Sequence, residues 1–248
     1  MPIQTVDITT TDGTADALFV HPGSGTHPGV LLFPDAFGPR PALAELAETI
    51  SARGYAVLVP NLFYRAGRAP VVELPAVVDP SNRHEVFDKI RPLMEQLTPE
   101  LALRDAGAYL DWLAAAPEVT DGEVGLTGYC MGAALVLRTA AAYPERVAAG
   151  AGFHGGRLAS DAADSPHLDA DRITAELYFG HADADPSLPP EQIERLSKAL
   201  DAAGVRYRAE VYPDAAHGFT QRDLASYDAE ADARHLRELI ALLDRALA

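Results

Sequence analysis

The chain holds one cysteine, and it stands between two glycines in "GYCMG", residues 128 to 132. The pattern G-x-nucleophile-x-G marks a tight strand-to-helix turn. There the nucleophile sits in strained backbone geometry, and glycines occupy the places where a β-carbon would strike neighbouring backbone. Such a turn puts Cys130 at a helix N-terminus, where the dipole and free N–H groups favour thiolate over thiol. It also aims the N–H of Met131 at a developing oxyanion. The same five residues suit a small buried hydrophobe at a close helix–strand contact, and short motifs match often by chance. The context favours the nucleophile, because an apolar strand leads in and a helical stretch leads out.

A thiol nucleophile calls for a base, and the base for an orienting acid. In a sheet built this way the chain order is nucleophile, acid, histidine, with the last two on loops after later strands. After "AELYFG" comes "HADADP", which offers Asp183 and Asp185; after "RYRAEVYP" comes "DAAHGF", which offers His217. Asp183 is the expected acid because it lies just beyond the strand end, and Asp185 is the alternative. His217 is the expected base, although a loop histidine is more often merely exposed.

The elements that must carry these groups follow from hydrophobic periodicity. "IQTVDIT" and "TADALFV" read as antiparallel strands around Thr11-Asp12-Gly13. "GVLLFP" and "YAVLVP" read as strands buried on both faces, joined by a helix over residues 41–53. Residues 61–98, with Pro70, Pro75, Pro80 and Pro92, read as an excursion over one end of the sheet that holds two loosely helical pieces. A helix, the strand "GEVGLTG", the elbow, a helix and the strand "VAAGAGF" follow. Then come "AELYFG", a helix, "RYRAEVYP" and a last helix from about 225 to 246. Strands alternating with helices predict an α/β fold, a mostly parallel sheet covered on both faces, in one domain over 1–248.

Bulk properties narrow the function. A formal net charge of -16 leaves no basic stripe for a nucleic-acid backbone. One cysteine makes no intramolecular disulfide. The polar N-terminus lacks the pattern of a signal peptide, and no window approaches a membrane span. A cytoplasmic protein acting on small molecules, as a monomer or small homo-oligomer, is the expectation. No cofactor is expected. His181, Asp183 and Asp185 match no metal-ligand spacing, so no metal is expected either.

Cys130, the acid loop and His217, in this order, resemble the dienelactone hydrolase family of α/β-hydrolases, from "GVLLFPDAFG" to "YPDAAHGF" and the final helix. The resemblance implies an α/β-hydrolase fold without a large lid and a triad of Cys130, Asp183 and His217. It implies a carboxylic ester hydrolase of the carboxymethylenebutenolidase type. In that family a glutamate after the first parallel strand pairs with the resting thiol; here Asp35 holds its position, one methylene shorter, or is simply a turn former. The N–H of Ala36 is then the second oxyanion donor. The family also holds a substrate carboxylate with arginines, one of them four residues after the histidine. Here that position is Gln221, and Arg222 follows it. Arg222 is therefore an inexact candidate and Arg83 a second one.

Three other residues fall near the expected pocket. His154, in "GFHGG", follows the strand after the elbow and reads as packed or lining. Phe63 and Tyr64, after a strand end, read as pocket wall or core. His181 reads as structural or exposed. The chemistry expected is hydrolysis of a small activated ester or lactone through an acyl-enzyme. The alternatives are a general carboxylesterase or thioesterase with the same triad, and a non-catalytic relative that binds a ligand or senses oxidants through Cys130.

Overall fold

The apolar runs assemble into one eight-stranded sheet in the computed structural model, which describes residues 3–247. Strands β1 (Ile3–Thr10) and β2 (Gly13–Val20) form the antiparallel hairpin expected around Asp12-Gly13, and β2 runs antiparallel to β4 (Ala56–Pro60). From β4 onward every pairing is parallel. Strand β3 (Gly29–Phe33) lies between β4 and β5 (Val124–Tyr129), and β6 (Val147–Phe153), β7 (Glu176–Ala182) and β8 (Tyr207–Tyr212) follow in order. Every residue of β3, β4 and β5 is buried, as both-face coverage demands of uninterrupted apolar strands. The edge strands β1 and β8 keep exposed positions.

Two cores explain the helical periodicity. On one face, α1 (Pro41–Ser51) and α6 (Ala229–Ala246) bury Leu43, Ala47, Ile50, Leu239, Leu242 and Leu243 against alternate residues of the strands. On the other, α3 (Pro99–Ala115), α4 (Met131–Ala142) and α5 (Pro190–Ala203) bury the opposite set. Helix α6 starts at Ala229, later than the expected 225. The Asp228 carboxylate accepts from the N–H groups of Glu230 and Ala231 and so caps the helix there.

The excursion resolves into irregular chain followed by a single helix, α2 (Arg83–Gln96), with Pro92 inside it. It lies over the carboxyl edge of the sheet and buries Val86 and Ile90 against Ala36. Just before it, Val78 bridges to the segment at Leu224, with Val78 N–H donating to Asp223 O at 2.9 Å and Ala225 N–H to Val78 O at 3.0 Å. The C-terminal ends of β3, β5, β7 and β8 thereby acquire a roof. No helix among the described residues is long and apolar enough to cross a membrane.

Candidate active site

Strand β5 ends at Tyr129, α4 begins at Met131, and Cys130 between them has φ 55° and ψ -116°, a backbone conformation that side-chain-bearing residues rarely adopt. The flanking glycines make this possible. A β-carbon on Gly128 would stand 2.2 Å from Gly132 O, and one on Gly132 would stand 2.4 Å from Phe33 O. Strand, turn and helix can pass that closely only if both positions lack side chains. The elbow is locked further by Cys130 N–H donating to Phe153 O at 3.1 Å. Met131 opens α4, so its N–H belongs to the first helical turn, which has no intrahelical acceptor.

His217 stands beside the thiol. Its Nδ1 lies 2.6 Å from Asp185 Oδ2 and 3.3 Å from Ser187 Oγ, and Cys130 also hydrogen-bonds the ring. Burial works against charging the ring, but the hydrogen bonds and negative charges of Asp185 and Cys130 outweigh it and push His217 up to about 10. On Asp185 burial likewise favours the neutral form, yet the bond to His217 and those from Ser187 hold it below the usual carboxylate range. Ser187 donates to Asp185 Oδ1 through its N–H at 2.8 Å and its hydroxyl at 2.7 Å. The arrangement is a buried carboxylate bonded to an imidazole that in turn bonds the cysteine.

The acid is the point at which the sequence reading requires correction. Asp183, the expected partner, does not reach His217; its carboxylate accepts from the Asp214 N–H at 3.1 Å and ties the ends of β7 and β8 together. The next residue, Ala184, has φ 49°, and this left-handed turn swings Asp185 back toward the histidine.

Asp35 and Ala36 line the same cavity as Cys130, His154 and His217, a space of about 220 Å³. The Asp35 carboxylate is engaged by Arg40, with Arg40 Nη1 donating to Oδ1 at 2.7 Å and Nη2 to Oδ2 at 2.9 Å. Asp35 therefore presents a paired charge where the resemblance suggested a partner for the thiol. The cavity walls are largely apolar, formed by Phe37, Val78, Phe87 and Leu224, and Arg83 stands at the rim over the Phe87 ring. Arg83 makes no ion pair among the described residues.

His154 is fully buried at the cavity, its Nε2 2.8 Å from Thr220 Oγ1 and its ring 5.3 Å from that of His217. Burial and the neighbouring His217 charge keep it neutral. The Arg222 expectation fails here, and of the two readings of Phe63 and Tyr64 the core one holds. Arg222 points outward over Tyr227 toward Asp232, and is not part of the cavity wall. Tyr64 turns the other way, its hydroxyl bonding Asp105 and Thr10. Phe63 lies behind Phe37 in a separate crevice. His181 is buried on β7, stacked on Phe179, with neither ring nitrogen hydrogen-bonded among the described residues. Arg40, Ser187, Thr220 and Gln221 were missed. Arg40 and Thr220 matter through contacts far along the chain, to Gln221, Asp223 and His154, whereas Ser187 bonds Asp185 two residues away.

Comparison with known proteins places this geometry in context. The model of the "Dienelactone hydrolase family" matches residues 15–247. A Synechocystis protein provisionally named a carboxymethylenebutenolidase is 30% identical over 212 residues, 84% of this chain and 82% of its own. The carboxymethylenebutenolidase of Rhodococcus opacus is 28% identical, over 84% of this chain and 77% of its own. Among solved structures, a provisionally named dienelactone hydrolase of Klebsiella pneumoniae superposes with a TM-score of 0.85 at 22% identity, over 98% of both chains. A dienelactone hydrolase-like promiscuous phosphotriesterase from metagenomic libraries follows with a TM-score of 0.77 at 27% identity, over 99% of this chain and 98% of its own.

Proposed function

The chain belongs to the dienelactone hydrolase family and is a carboxylic ester hydrolase, and on that premise we propose that it cleaves small activated esters or lactones, dienelactone-like, with Cys130 as nucleophile. His217 serves as acid and base in this reading, and Asp185 orients and charges it. The supporting observation is His217 held between the Asp185 carboxylate and the Cys130 thiol at the floor of one cavity.

The thiolate attacks the acyl carbon, and the carbonyl electron pair moves onto oxygen, facing the N–H groups of Met131 and Ala36. Collapse of the adduct breaks the C–O bond, and the departing oxygen takes the proton of His217. From a lactone that oxygen remains attached to the acyl chain as a hydroxyl. Neutral His217 then removes a proton from water, the hydroxide adds to the thioester, and the C–S bond breaks to return thiolate beside imidazolium. A thiolate is a better leaving group than an amine, so an amide adduct would revert. Esters, enol-lactones and thioesters are the expected substrates.

Apolar walls and the modest volume favour a small acyl group, and the unpaired Arg83 at the rim suits an anionic substituent. Rapid mixing with p-nitrophenyl acetate tests the reading. Wild type is expected to release a burst of about one equivalent of p-nitrophenolate and to carry an acetyl group on Cys130 after acid quench. Cys130→Ala is expected to do neither; full hydrolysis by that variant would refute the assignment.

A further inference from the structure

Beneath the site runs a buried polar chain that the triad does not use. Arg40 is 8% exposed, and its guanidinium grips the Asp35 carboxylate at both oxygens. It also reaches across to the segment that carries His217: Nε donates to Asp223 Oδ2 at 2.5 Å, and Nη2 to Asp223 Oδ1 at 3.1 Å and Gln221 Oε1 at 3.2 Å. The Gln221 amide then donates to Thr220 Oγ1 at 3.0 Å, and Thr220 meets His154 Nε2. His154 packs edge-on against His217. At the other end of the chain, Asp35 Oδ1 accepts from the Phe37 N–H at 3.0 Å. That bond closes the turn around Ala36, whose N–H is the second oxyanion donor in the reading above.

We propose that Arg40 is a positioning residue: through the Asp35 fork it fixes the turn bearing the Ala36 amide, and through Gln221 and Asp223 it locks that turn to the His217 segment. The proposal rests on the assignment of Ala36 to the oxyanion hole. A fork fixes a carboxylate in plane as well as in distance, which a lysine point charge does not. The network spans two loops that share no strand, and among the described residues no other hydrogen bond joins them directly. Burial opposes the Arg40 charge, and Asp35 with Asp223 more than offsets it. The cation is permanent, and the loops are joined at every working pH.

The two reactions of Cys130 separate this role from a merely structural one. Hydrolysis of p-nitrophenyl acetate passes through an oxyanion. Alkylation by iodoacetamide displaces iodide at a saturated carbon and forms none. In the full chain, Arg40→Met is expected to lower kcat roughly tenfold to a hundredfold with KM within about threefold, as loss of interactions felt mainly in the transition state requires. Its rate of alkylation at Cys130 is expected to stay within about threefold of wild type. Arg40→Lys should fall between, and Asp35→Asn added to Arg40→Met should recover part of kcat by removing a stranded buried carboxylate. An unchanged kcat in folded Arg40→Met, or alkylation that falls in step with hydrolysis, overturns the proposal. If Arg40→Met does not fold, the same comparison is read on Arg40→Lys. Cys130→Ala is run alongside: hydrolysis surviving there defeats the nucleophile assignment itself, a different outcome from either of these.

Discussion

Replacing Asp185 by asparagine leaves the shape of the site and removes the charge behind His217. Lifting His217 from 6.5 to about 10, against the pull of burial, corresponds to roughly 5 kcal/mol in favour of the imidazolium. Asp185 and Cys130 share that stabilisation, and an even division gives the carboxylate roughly 2–3 kcal/mol, or about a hundredfold in rate. Asp185→Asn is therefore expected to lower kcat/KM for p-nitrophenyl acetate by about a hundredfold, and Asp183→Asn by no more than about threefold. The pH dependence adds a second handle. In wild type the proton that His217 gives to the leaving group is retained until the pH nears 10, so the alkaline limb of kcat/KM is expected there. In Asp185→Asn that limb should move toward neutrality. Stability should follow with a definite sign. A histidine whose folded value is raised contributes fully below its unfolded value of 6.5 and loses that contribution as pH rises to about 10. Asp185, held low, contributes above its unfolded value of 3.8 and loses this as pH falls. The stability gap between wild type and Asp185→Asn should be widest between these values. Equal losses from Asp183→Asn and Asp185→Asn, or a wild-type-like Asp185→Asn, would refute the reasoning.

Other residues give independent tests. His181 is buried without a hydrogen-bond partner, and burial brings it down from 6.5 to about 4. Between those values the unfolded chain binds more protons than the folded one, so stability drops as pH falls, by about 3 kcal/mol in full. His181→Leu is expected to show a shallower decline in urea-unfolding free energy from pH 7 to 4; parallel curves would contradict this. Arg222→Ala should leave esterase kinetics within about twofold, because the side chain points away over Tyr227. Arg83→Ala should raise KM about tenfold for an ester bearing a carboxylate and leave KM for its neutral analogue unchanged, since a screened rim charge acts mainly on a charged ligand. Equal effects on both esters would remove Arg83 from charge recognition.

How much of this was legible in the chain depends on the range of the forces involved. The elbow was legible because its constraint is local: Gly128 and Gly132 answer to atoms four residues apart or on the adjacent strand. The parallel strands and the loop that carries His217 were legible because buried parallel strands have strong apolar runs and ligands bind at their carboxyl ends. The partner of His217 is the alternative carboxylate, two residues past the expected one. Asp183 lies nearer the strand end, but the left-handed backbone of Ala184, a residue with no preference for it, turns Asp185 toward the histidine. Arg222 was misread by one residue, because Gly218, at φ 92°, bends the segment so that Gln221 turns in and Arg222 out. Phe63 and Tyr64 stayed open between wall and core because aromatic residues after a strand suit both, and Asp105, some forty residues on, claims the tyrosine hydroxyl in the core.

Asp35 shows why a matching position need not mean a matching role. The resemblance places a carboxylate near the thiol, and the structure does put Asp35 in that cavity wall. A carboxylate bonded at both oxygens by a buried guanidinium, however, has its countercharge beside it, shared with Asp223, so its field at the sulfur is weakened. The unbalanced positive charge nearest the sulfur is then the imidazolium of His217, itself held by Asp185. Burial strengthens that pairing because water is not there to screen it. The side chain that bonds the Cys130 sulfur is thus His217, itself held by Asp185, and Arg40 acts on the geometry of the Asp35 turn. Asp35→Asn in the presence of Arg40 would leave the buried cation to Asp223 alone and disturb the turn, whereas removing both members of the pair deletes two opposite charges together. The double variant is therefore the one that separates what the pair does for shape from what either charge would do alone.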